Sequence, residues 1–413
     1  MEHMESDFCV VGGGPAGLAL SLLLLRSGAR VALVERARSF DREFRGEILQ
    51  PGGMQILEQL GVLDRARQRG GYPLRRFRLV EHERLLMDID YAQLPAPYDF
   101  LLSIPQRHLL VELLAACREH PGFTYLEGRS VTDLHHENAR VAGVVVGRGE
   151  QRMRIDAHVT VGADGRYSKV RKLAGLGYTR VEAFEHDILW FKIPAGGRSA
   201  HDIRVYRSGG NPVLIYDSYP DSIQIGWTLP HGGYKELSSE GFPALVRRIE
   251  QAVPIYADEV RASLTGPGDL SLLDVFAGSA DTWATDGLVL IGDAAHTHGP
   301  IGAQGINLAL QDAAVLHPVL VESWRTKDAG CACLSTYERA RRPDIEAVFT
   351  LQARQGAAML THGGISDRIR PLVARALAHT PIYRKVLQQI AFGRTPVRVR
   401  ADLFTQQTGS RAA

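Results

Sequence analysis

Residues 292–307 read GDAAHTHGPIGAQGIN, with an Asp at the second position and glycines spread along the rest. The apolar run 287–291 comes directly before this stretch and predicts a buried strand. Residues 308–316 follow it and predict a helix that ends before Pro318. The stretch therefore joins a strand end to a helix start, so that backbone N–H groups and the positive end of a helix face an electron-rich ligand.

The N-terminus carries a second glycine-rich turn. Residues 8–11 predict a short strand and residues 18–26 a helix. The turn between them is Gly12-Gly13-Gly14-Pro15-Ala16-Gly17, and a second predicted strand ends in Glu35. In a dinucleotide fingerprint the glycines allow a tight turn, the approach of a pyrophosphate and close helix packing, while the acid accepts from ribose hydroxyls. This pattern predicts a dinucleotide site but does not separate NAD from FAD.

A third segment, residues 159–171, combines a predicted strand, an Asp164-Gly165 turn and a basic helix start. Taken alone, it also fits an ordinary turn in front of an N-capped helix. The occurrence of all three segments in this order, from residue 8 to residue 312, is far more specific than any one of them.

Together the three segments resemble those of the group A, single-component FAD-dependent monooxygenases, the para-hydroxybenzoate hydroxylase type. The resemblance extends over nearly the whole chain. It implies an α/β protein with a Rossmann-like FAD-binding domain, an inserted, mainly antiparallel β-sheet substrate domain and C-terminal helices. It also implies an enzyme that hydroxylates an aromatic or polyketide-like small molecule. The cofactor would be tight, non-covalent FAD, with NADH or NADPH as transient reductant and molecular oxygen activated as a flavin C4a-hydroperoxide.

The predicted elements favour a discontinuous FAD-binding domain. Residues 123–157 read as strand–loop–strand, and strands with turn residues between them are predicted at 76–80, 85–89, 188–193, 202–206, 212–216 and 223–227. Helices are predicted at 53–68, 105–120 and 242–253, and the pattern beyond residue 314 is helical to about residue 392. We therefore assign residues 1–75, 98–176 and 277–340 to the FAD-binding domain, 76–97 and 177–276 to the substrate domain, and 341–413 to a C-terminal helical region.

Composition narrows the class of protein further. The 413 residues carry a formal net charge of +2, so no strong field favours nucleic acid as a partner. The longest apolar run near the start, residues 18–25, is too short to span a bilayer and belongs to the dinucleotide fold. The cysteines, Cys9, Cys117, Cys331 and Cys333, have no metal-ligand spacing, so no metal site is predicted. We expect reduced thiols, a cytoplasmic protein with a small-molecule substrate, no integral membrane segment, and a homodimer as one possible assembly.

The resemblance also implies roles for individual residues around FAD. Asp293 would hold the ribityl chain, and Pro300 would lie against the flavin ring. The N–H groups of Gly302, Ala303 and Gln304 would face the flavin N1–C2=O edge. The predicted cofactor-binding residues are Gly12, Gly14, Pro15, Ala16, Gly17, Glu35, Arg36, Arg45, Gln106, Asp164, Asp293, Pro300, Gly302, Gln304, Gly305, Ile306 and Asn307.

Two of these residues have a plausible structural alternative. Arg45 would contact FAD and help to move the isoalloxazine, but it could instead belong to a basic surface cluster over residues 36–45. Gln106 would hydrogen-bond the phosphate or ribityl region, but it could instead be a solvent-facing residue of a first helical turn. Both roles rest on the resemblance alone.

The predicted chemistry needs no dedicated side-chain base, because the cofactor carries the oxygen and the protein supplies orientation, water exclusion and electrostatics. Pro300 and His298 are the candidate catalytic residues, since both are expected near the ring face, whereas His296 is expected to be structural. The candidate walls of the substrate pocket are Trp190, Tyr206, Tyr216 and Trp227. Each could equally be ordinary sheet packing, because aromatic residues favour strands.

Other functions stay open at this level. Residues 46–53 also resemble a segment of the squalene epoxidases, so epoxidation of an isoprenoid or polyene double bond is the main alternative. An oxygen-independent flavin dehydrogenase and a flavin-binding scaffold are further alternatives. A halogenase is disfavoured, because Leu189 and Phe191 stand where the halogenase pattern has tryptophans. The substrate and the choice between NADH and NADPH cannot be predicted from the sequence.

Overall fold

The structure is a computed structural model, and it describes residues 2–40, 46–81, 84–181, 186–199, 201–207, 211–360 and 380–405. Arg45 lies outside these residues, so its predicted contact with FAD is not addressed by the fold.

Helices cover both the N-terminal and C-terminal parts of the described chain. Their bounds are α1 Pro15–Arg26, α2 Pro51–Gln59, α3 Leu63–Gln68, α4 Gln106–Arg118, α5 Lys169–Leu173, α6 Gly233–Ser239, α7 Phe242–Ala252, α8 Ala257–Ser263, α9 Gly305–Thr326, α10 Cys331–Leu360 and α11 Pro381–Phe392. The strands are β1 Glu2–Val11, β2 Val31–Glu35, β3 Ile48–Leu49, β4 Tyr72–Leu74, β5 Arg76–Glu81, β6 Arg84–Asp90, β7 Leu101–Ser103, β8 Phe123–Glu127, β9 Val131–Glu137, β10 Arg140–Val146, β11 Met153–Gly162, β12 Tyr178–Val181, β13 His186–Pro194, β14 Asp202–Tyr206, β15 Val213–Ser218, β16 Ser222–Pro230, β17 Ser271–Leu273, β18 Ala277–Ala280, β19 Ala284–Thr285, β20 Leu288–Leu290 and β21 His296–Thr297.

The first large sheet has the order β19-β20-β11-β1-β2-β8, and β20, β11, β1, β2 and β8 run parallel. All five residues of β2 are buried, as expected for a strand covered by structure on both faces. Because these strands are parallel, the turns after β1, β2, β11 and β20 lie at one edge of the sheet. This edge is where ligands bind in doubly wound folds.

The second large sheet has the order β17-β13-β16-β15-β14-β5-β6 and is antiparallel except for the pair β14 and β5. Its strands come from both segments assigned to the substrate domain. One face packs on α7 and α8 through residues such as Leu189, Leu245 and Val260. The opposite face packs through Trp190 and Tyr216 against β7, α11 and the loop at residues 301–303. We call it the flavin-side face, because that loop is expected to meet the flavin. The Rossmann-like domain with an inserted, mainly antiparallel sheet is therefore confirmed.

Two helix predictions were wrong. Residues 53–68 form two helices, because Gly61 has φ +62° and terminates α2 in the left-handed region. The helix predicted to end before Pro318 instead runs through it to Thr326. A proline inside a helix costs about 3 kcal/mol, and the extensive burial of α9 offsets that cost.

The strand pattern over residues 123–157 also differs from the expectation. Residues 123–157 contain four strands, because Asn138 and Ala139 both adopt positive φ and turn β9 back into β10. Asn138 favours that conformation but Ala139 does not, so the turn carried only a weak sequence signal. The domain boundary between residues 340 and 341 falls inside the continuous helix α10, and the domain division stays a prediction.

Candidate flavin-binding and active site

The turn after β1 has the shape that a pyrophosphate requires. Gly12 has φ +113°, and a Cβ there would lie 2.3 Å from the carbonyl oxygen of Ala163. A Cβ on Gly17 would lie 2.0 Å from the carbonyl oxygen of Gly12. A Cβ on Gly14 would meet no atom within 4 Å, and no side chain caps α1. The first turn of α1 thus offers uncapped N–H groups beside an open space.

Glu35 ends β2 and is 4% exposed. Its Oε2 accepts from the N–H of Gly13 and its Oε1 from the N–H of Ala37, both at 2.7 Å. The carboxylate therefore fixes the glycine turn, which sequence reasoning did not anticipate. Each carboxylate oxygen has a second lone pair, so acceptance from a ribose hydroxyl remains compatible with this geometry. Arg36 is exposed directly after it.

Asp164 caps α5. Its carboxylate accepts from the Ser168 hydroxyl at 2.5 Å and from the N–H groups of Lys169 and Val170 at 2.6 and 3.0 Å. These bonds support the ordinary capping interpretation of the Asp-Gly segment. A contact of Asp164 with FAD stays a prediction. Arg166 in the same turn lies 3.6 Å from Asp293, which joins the two segments by an ion pair.

Gly292 brings the two glycine-rich turns together. A Cβ on this residue would lie 3.4 Å from the Cβ of Ala16 in α1 and 3.7 Å from the Cβ of Ala309 in α9. The N-terminal turns of α1 and α9 therefore meet beside Asp293, whose side chain is 32% exposed. This position fits a carboxylate that holds the hydroxyl chain between the pyrophosphate and the flavin ring.

The loop before α9 offers donors to the flavin edge, but not all of those predicted. The N–H of Ala303 donates to the carbonyl of Pro300 at 3.0 Å, so the expected role of Ala303 was wrong. Within the described residues, the N–H groups of Gly302 and Gln304 have no hydrogen-bond partner. Gly305 opens α9 with no side-chain cap, and a Cβ there would meet nothing within 4 Å. The helix end and two free N–H groups thus remain for an electron-rich edge.

The side chains of this loop have structural tasks. Gln304 donates to the carbonyl of Ile390 at 2.8 Å, and its Oε1 accepts from Asn307 at 3.1 Å. Contacts of Gln304, Ile306 and Asn307 with FAD, if they are made through backbone atoms, are compatible with these bonds. Gln106 is half-buried at the first position of α4, where its predicted contact stays open.

A buried charged cluster lies behind the loop. Asp312 is fully buried and accepts from the N–H of Gly292 at 2.9 Å, His296 Nε2 at 2.7 Å and Arg341 Nε at 2.8 Å. Burial by itself raises the pKa of Asp312, but His296 and Arg341 outweigh it and lower the pKa to about 2. These contacts support a structural role for His296.

His298 is 7% exposed and stacks on Phe349 with ring centroids 4.7 Å apart. Burial, followed by the nearby His296 and Arg341, places the pKa of His298 well below its ordinary value. The ring is therefore neutral at physiological pH, and its Nε2 has no partner among the described residues. A neutral imidazole can donate or accept a hydrogen bond but brings no charge to the reaction. Its catalytic role stays a prediction, as does that of Pro300.

The four proposed pocket aromatics divide between the two faces of the substrate sheet. Trp190 and Tyr216 share the flavin-side face, with ring centroids 6.2 Å apart, and Gly226 leaves space for the Trp190 ring. Leu189 is the register partner of Trp227, so Trp227 lies on the opposite face from Trp190. Trp227 belongs to the cluster under α7 and α8, and Tyr206 packs against that cluster. Neither of these two residues lines the flavin-side face, which corrects the prediction.

Sequence reasoning missed a buried carboxylate on the flavin-side face. Glu47 is 5% exposed, and its two oxygens contact Lys192 Nζ and the Ser218 hydroxyl, each at 2.6 Å. It follows Gly46, directly after the segment that contains Arg45. A charged residue immediately before an apolar strand was the only signal available. The contacts tie this loop to the substrate sheet.

Two further features concern cofactors and membranes. Across the described ranges, no group of three or more His, Cys, Asp or Glu side chains is arranged to hold a metal ion. No helix in those ranges is both long and apolar enough to cross a bilayer.

The geometry fits a bound dinucleotide, and comparison with known proteins identifies the family of the chain. A family described as "FAD binding domain" matches residues 5–352. The chain therefore belongs to this family, and it is an FAD-dependent monooxygenase of the para-hydroxybenzoate hydroxylase-like group. The resemblance inferred from the three segments, the enzyme class and the FAD cofactor are confirmed.

Individual relatives give more detail. The chain is 54% identical to the 6-methylpretetramide 4-monooxygenase of Streptomyces rimosus over 97% of its own length and 96% of the relative. It is 27% identical to the protoasukamycin 4-monooxygenase of Streptomyces nodosus subsp. asukaensis, over 85% and 88% of the two chains. The crystal structure of p-nitrophenol 4-monooxygenase from Pseudomonas putida DLL-E4 superposes with TM-score 0.78 at 19% identity, covering 96% of this chain and all of that one. This last likeness concerns the fold alone.

Proposed function

We propose that the chain hydroxylates an aromatic ring of a polyketide-like small molecule, 6-methylpretetramide or a close analogue, at the position named in its relative. The observation that carries this proposal is the 54% identity to the 6-methylpretetramide 4-monooxygenase, which extends over nearly all of both chains. A more distant relative, the protoasukamycin 4-monooxygenase, is likewise named for oxygenation at a 4-position, which supports the same type of reaction. NADH or NADPH would be the reductant and molecular oxygen the co-substrate.

When bound, FAD supplies hydride acceptance and the transfer of one oxygen atom to the substrate. The protein's contribution is to hold, orient and shield. The glycine turn before α1 and Asp293 fit the pyrophosphate and the ribityl chain. The N–H groups of Gly302 and Gln304 have no partner among the described residues, and together with the end of α9 they would stabilise negative charge at the flavin edge by roughly 0.3–2 kcal/mol. The sheet face that carries Trp190 and Tyr216 forms the other wall and excludes water.

The test uses purified holoprotein with 6-methylpretetramide and either NADPH or NADH. The expected product has gained one oxygen atom, and one nicotinamide should give a clearly higher kcat/KM than the other. Controls without substrate should give peroxide and no product. The epoxidase alternative would replace this proposal if two results were obtained together. With 6-methylpretetramide, nicotinamide oxidation would yield only peroxide, and an isoprenoid polyene would be converted to product. Substrate oxidation without oxygen uptake would replace it by the dehydrogenase alternative.

The compartment and the assembly are also proposals. The four cysteines are free, and burial raises the pKa of Cys9 and Cys117 to about 12, so these two do not react readily as thiolates. Free thiols support a reducing, cytoplasmic location. The homodimer stays a prediction, which light scattering of the purified protein would test.

A further inference from the structure

The loop over residues 299–302 is held by its carbonyl groups. The carbonyls of Gly299 and Ile301 both accept from the side-chain amide of Gln352 in α10, at 2.9 and 2.6 Å. The carbonyl of Gly302 accepts from the amide of Gln50, next to α2, at 2.6 Å and more weakly from the amide of Gln304 at 3.2 Å. The carbonyl of Pro300 accepts from Ala303 within the loop. All four successive carbonyls therefore have protein donors.

Holding a carbonyl fixes the group on the other side of the same peptide. In a trans peptide the C=O of one residue and the N–H of the next point in opposite directions. Because the Ile301 carbonyl faces Gln352, the N–H of Gly302 points away from α10. In the same way, the Gly299 carbonyl faces Gln352. The Pro300 ring carbon that is bonded to the nitrogen of the same peptide therefore points away from α10. The two features expected to meet the flavin are thus presented on the side opposite the helix.

Gln352 is well suited to this task. Its side chain is 1% exposed, and a primary amide has two N–H donors, one for each carbonyl. Phe349, one turn earlier on α10, stacks on His298. The same face of the helix therefore contacts the loop region at two points. The acceptors are carbonyls, which sets the amide orientation and leaves its Oε1 without a partner among the described residues.

We propose that Gln352, assisted by Gln50, is a positioning residue that sets where Pro300 and the N–H of Gly302 stand relative to the flavin ring. The proposal depends on FAD binding at this site but not on the identity of the substrate. Gln352 comes from the C-terminal region, to which no part of the site was assigned from the sequence.

The test compares Gln352→Leu and Gln352→Glu with Gln388→Glu, a matched control on the exposed side of α11. The leucine variant loses both amide N–H donors, and the glutamate variant places a carboxylate next to two carbonyl oxygens. For enzyme reconstituted to full FAD content, we measure the flavin midpoint potential, the visible spectrum and the ratio of product to nicotinamide consumed. The first two readouts need no substrate, so they remain informative if the proposed substrate is wrong.

The expected result is a more negative midpoint potential, an altered flavin spectrum and a fall of about five- to a hundredfold in coupled turnover, as expected for the loss of two hydrogen bonds. The control should match the wild type. A lower melting temperature with an unchanged potential and spectrum in the fully loaded variants would show that Gln352 only stabilises the fold. If the Gln352 variants do not fold, Gln50→Met removes the neighbouring bond, and an unchanged potential and spectrum in that variant would overturn the proposal.

Discussion

Asp312→Asn should destabilise the protein substantially, because the buried carboxylate compensates the charge of Arg341. The Arg341 side chain is 2% exposed, and its remaining acidic neighbour, Asp344, lies at 3.4 Å. Breaking a buried ion pair by removing one partner costs about 3–5 kcal/mol. The lowered pKa of Asp312 has the matching sign, and a shift from 3.8 to about 2 corresponds to roughly 2–3 kcal/mol. We therefore expect a loss of about 3 kcal/mol.

Urea unfolding of the holoprotein at pH 7 measures this loss. Thermal unfolding gives a second measure. For a chain of 413 residues, a loss of about 3 kcal/mol corresponds to a melting temperature lower by about 3–4 °C. The matched control is Asp258→Asn, whose side chain is 91% exposed and pairs with Arg261 on the surface. The control should unfold like the wild type.

The pH dependence of the same difference has a definite sign. The pKa of Asp312 is lowered in the folded state, so its stabilisation is complete above the unfolded pKa near 4 and is lost as pH falls towards about 2. The wild type should therefore lose its advantage over Asp312→Asn between about pH 4 and pH 2. An Asn variant as stable as the wild type at pH 7, or a difference that grows as pH falls through this window, would refute the assigned role of the cluster.

Four further variants test the site. Asp293→Ala should raise the Kd for FAD about tenfold to a hundredfold, since a charge-assisted hydrogen bond is worth about 1.5–3 kcal/mol, and a fluorescence titration with wild-type affinity would contradict this. Arg45→Ala should weaken FAD binding or slow flavin reduction in stopped-flow experiments, and no change in either would place Arg45 in the surface cluster. Trp190→Ala should raise KM or lower coupling, whereas Trp227→Ala should cost about 3–5 kcal/mol of stability and leave KM unchanged in the folded fraction. The reverse pattern would show that the two sheet faces were assigned wrongly.

Much of the fold could be predicted because its signals are local. The glycine turns and the apolar strands before them identify an FAD-binding fold within short segments. The strands of the inserted sheet were also predicted from alternation and turn residues alone. Local patterns failed where burial outweighed propensity, as for Pro318 inside α9, and where a turn used the atypical residue Ala139.

The site was less predictable because it depends on distant pairings. Whether Trp190 and Trp227 share a face depends on the register between β13 and β16, which neither strand encodes by itself. Gln352 reaches the loop near Pro300 from about fifty residues away along the chain, without any motif around it. Asp312 was predicted only as part of a helix, although its carboxylate binds Gly292 and His296 at the start of the segment 292–307.

In the proposed reaction, the enzyme transfers one atom of molecular oxygen to its substrate without an essential side-chain base. The most direct measurement mixes reduced holoenzyme and 6-methylpretetramide with buffer that contains ¹⁸O₂, followed by mass analysis of the product. We expect one ¹⁸O atom in the new hydroxyl group, and the same label in product formed by a His298→Ala variant at an altered rate or coupling. Product whose new oxygen comes from water, or no product from the His298 variant, would contradict the claim.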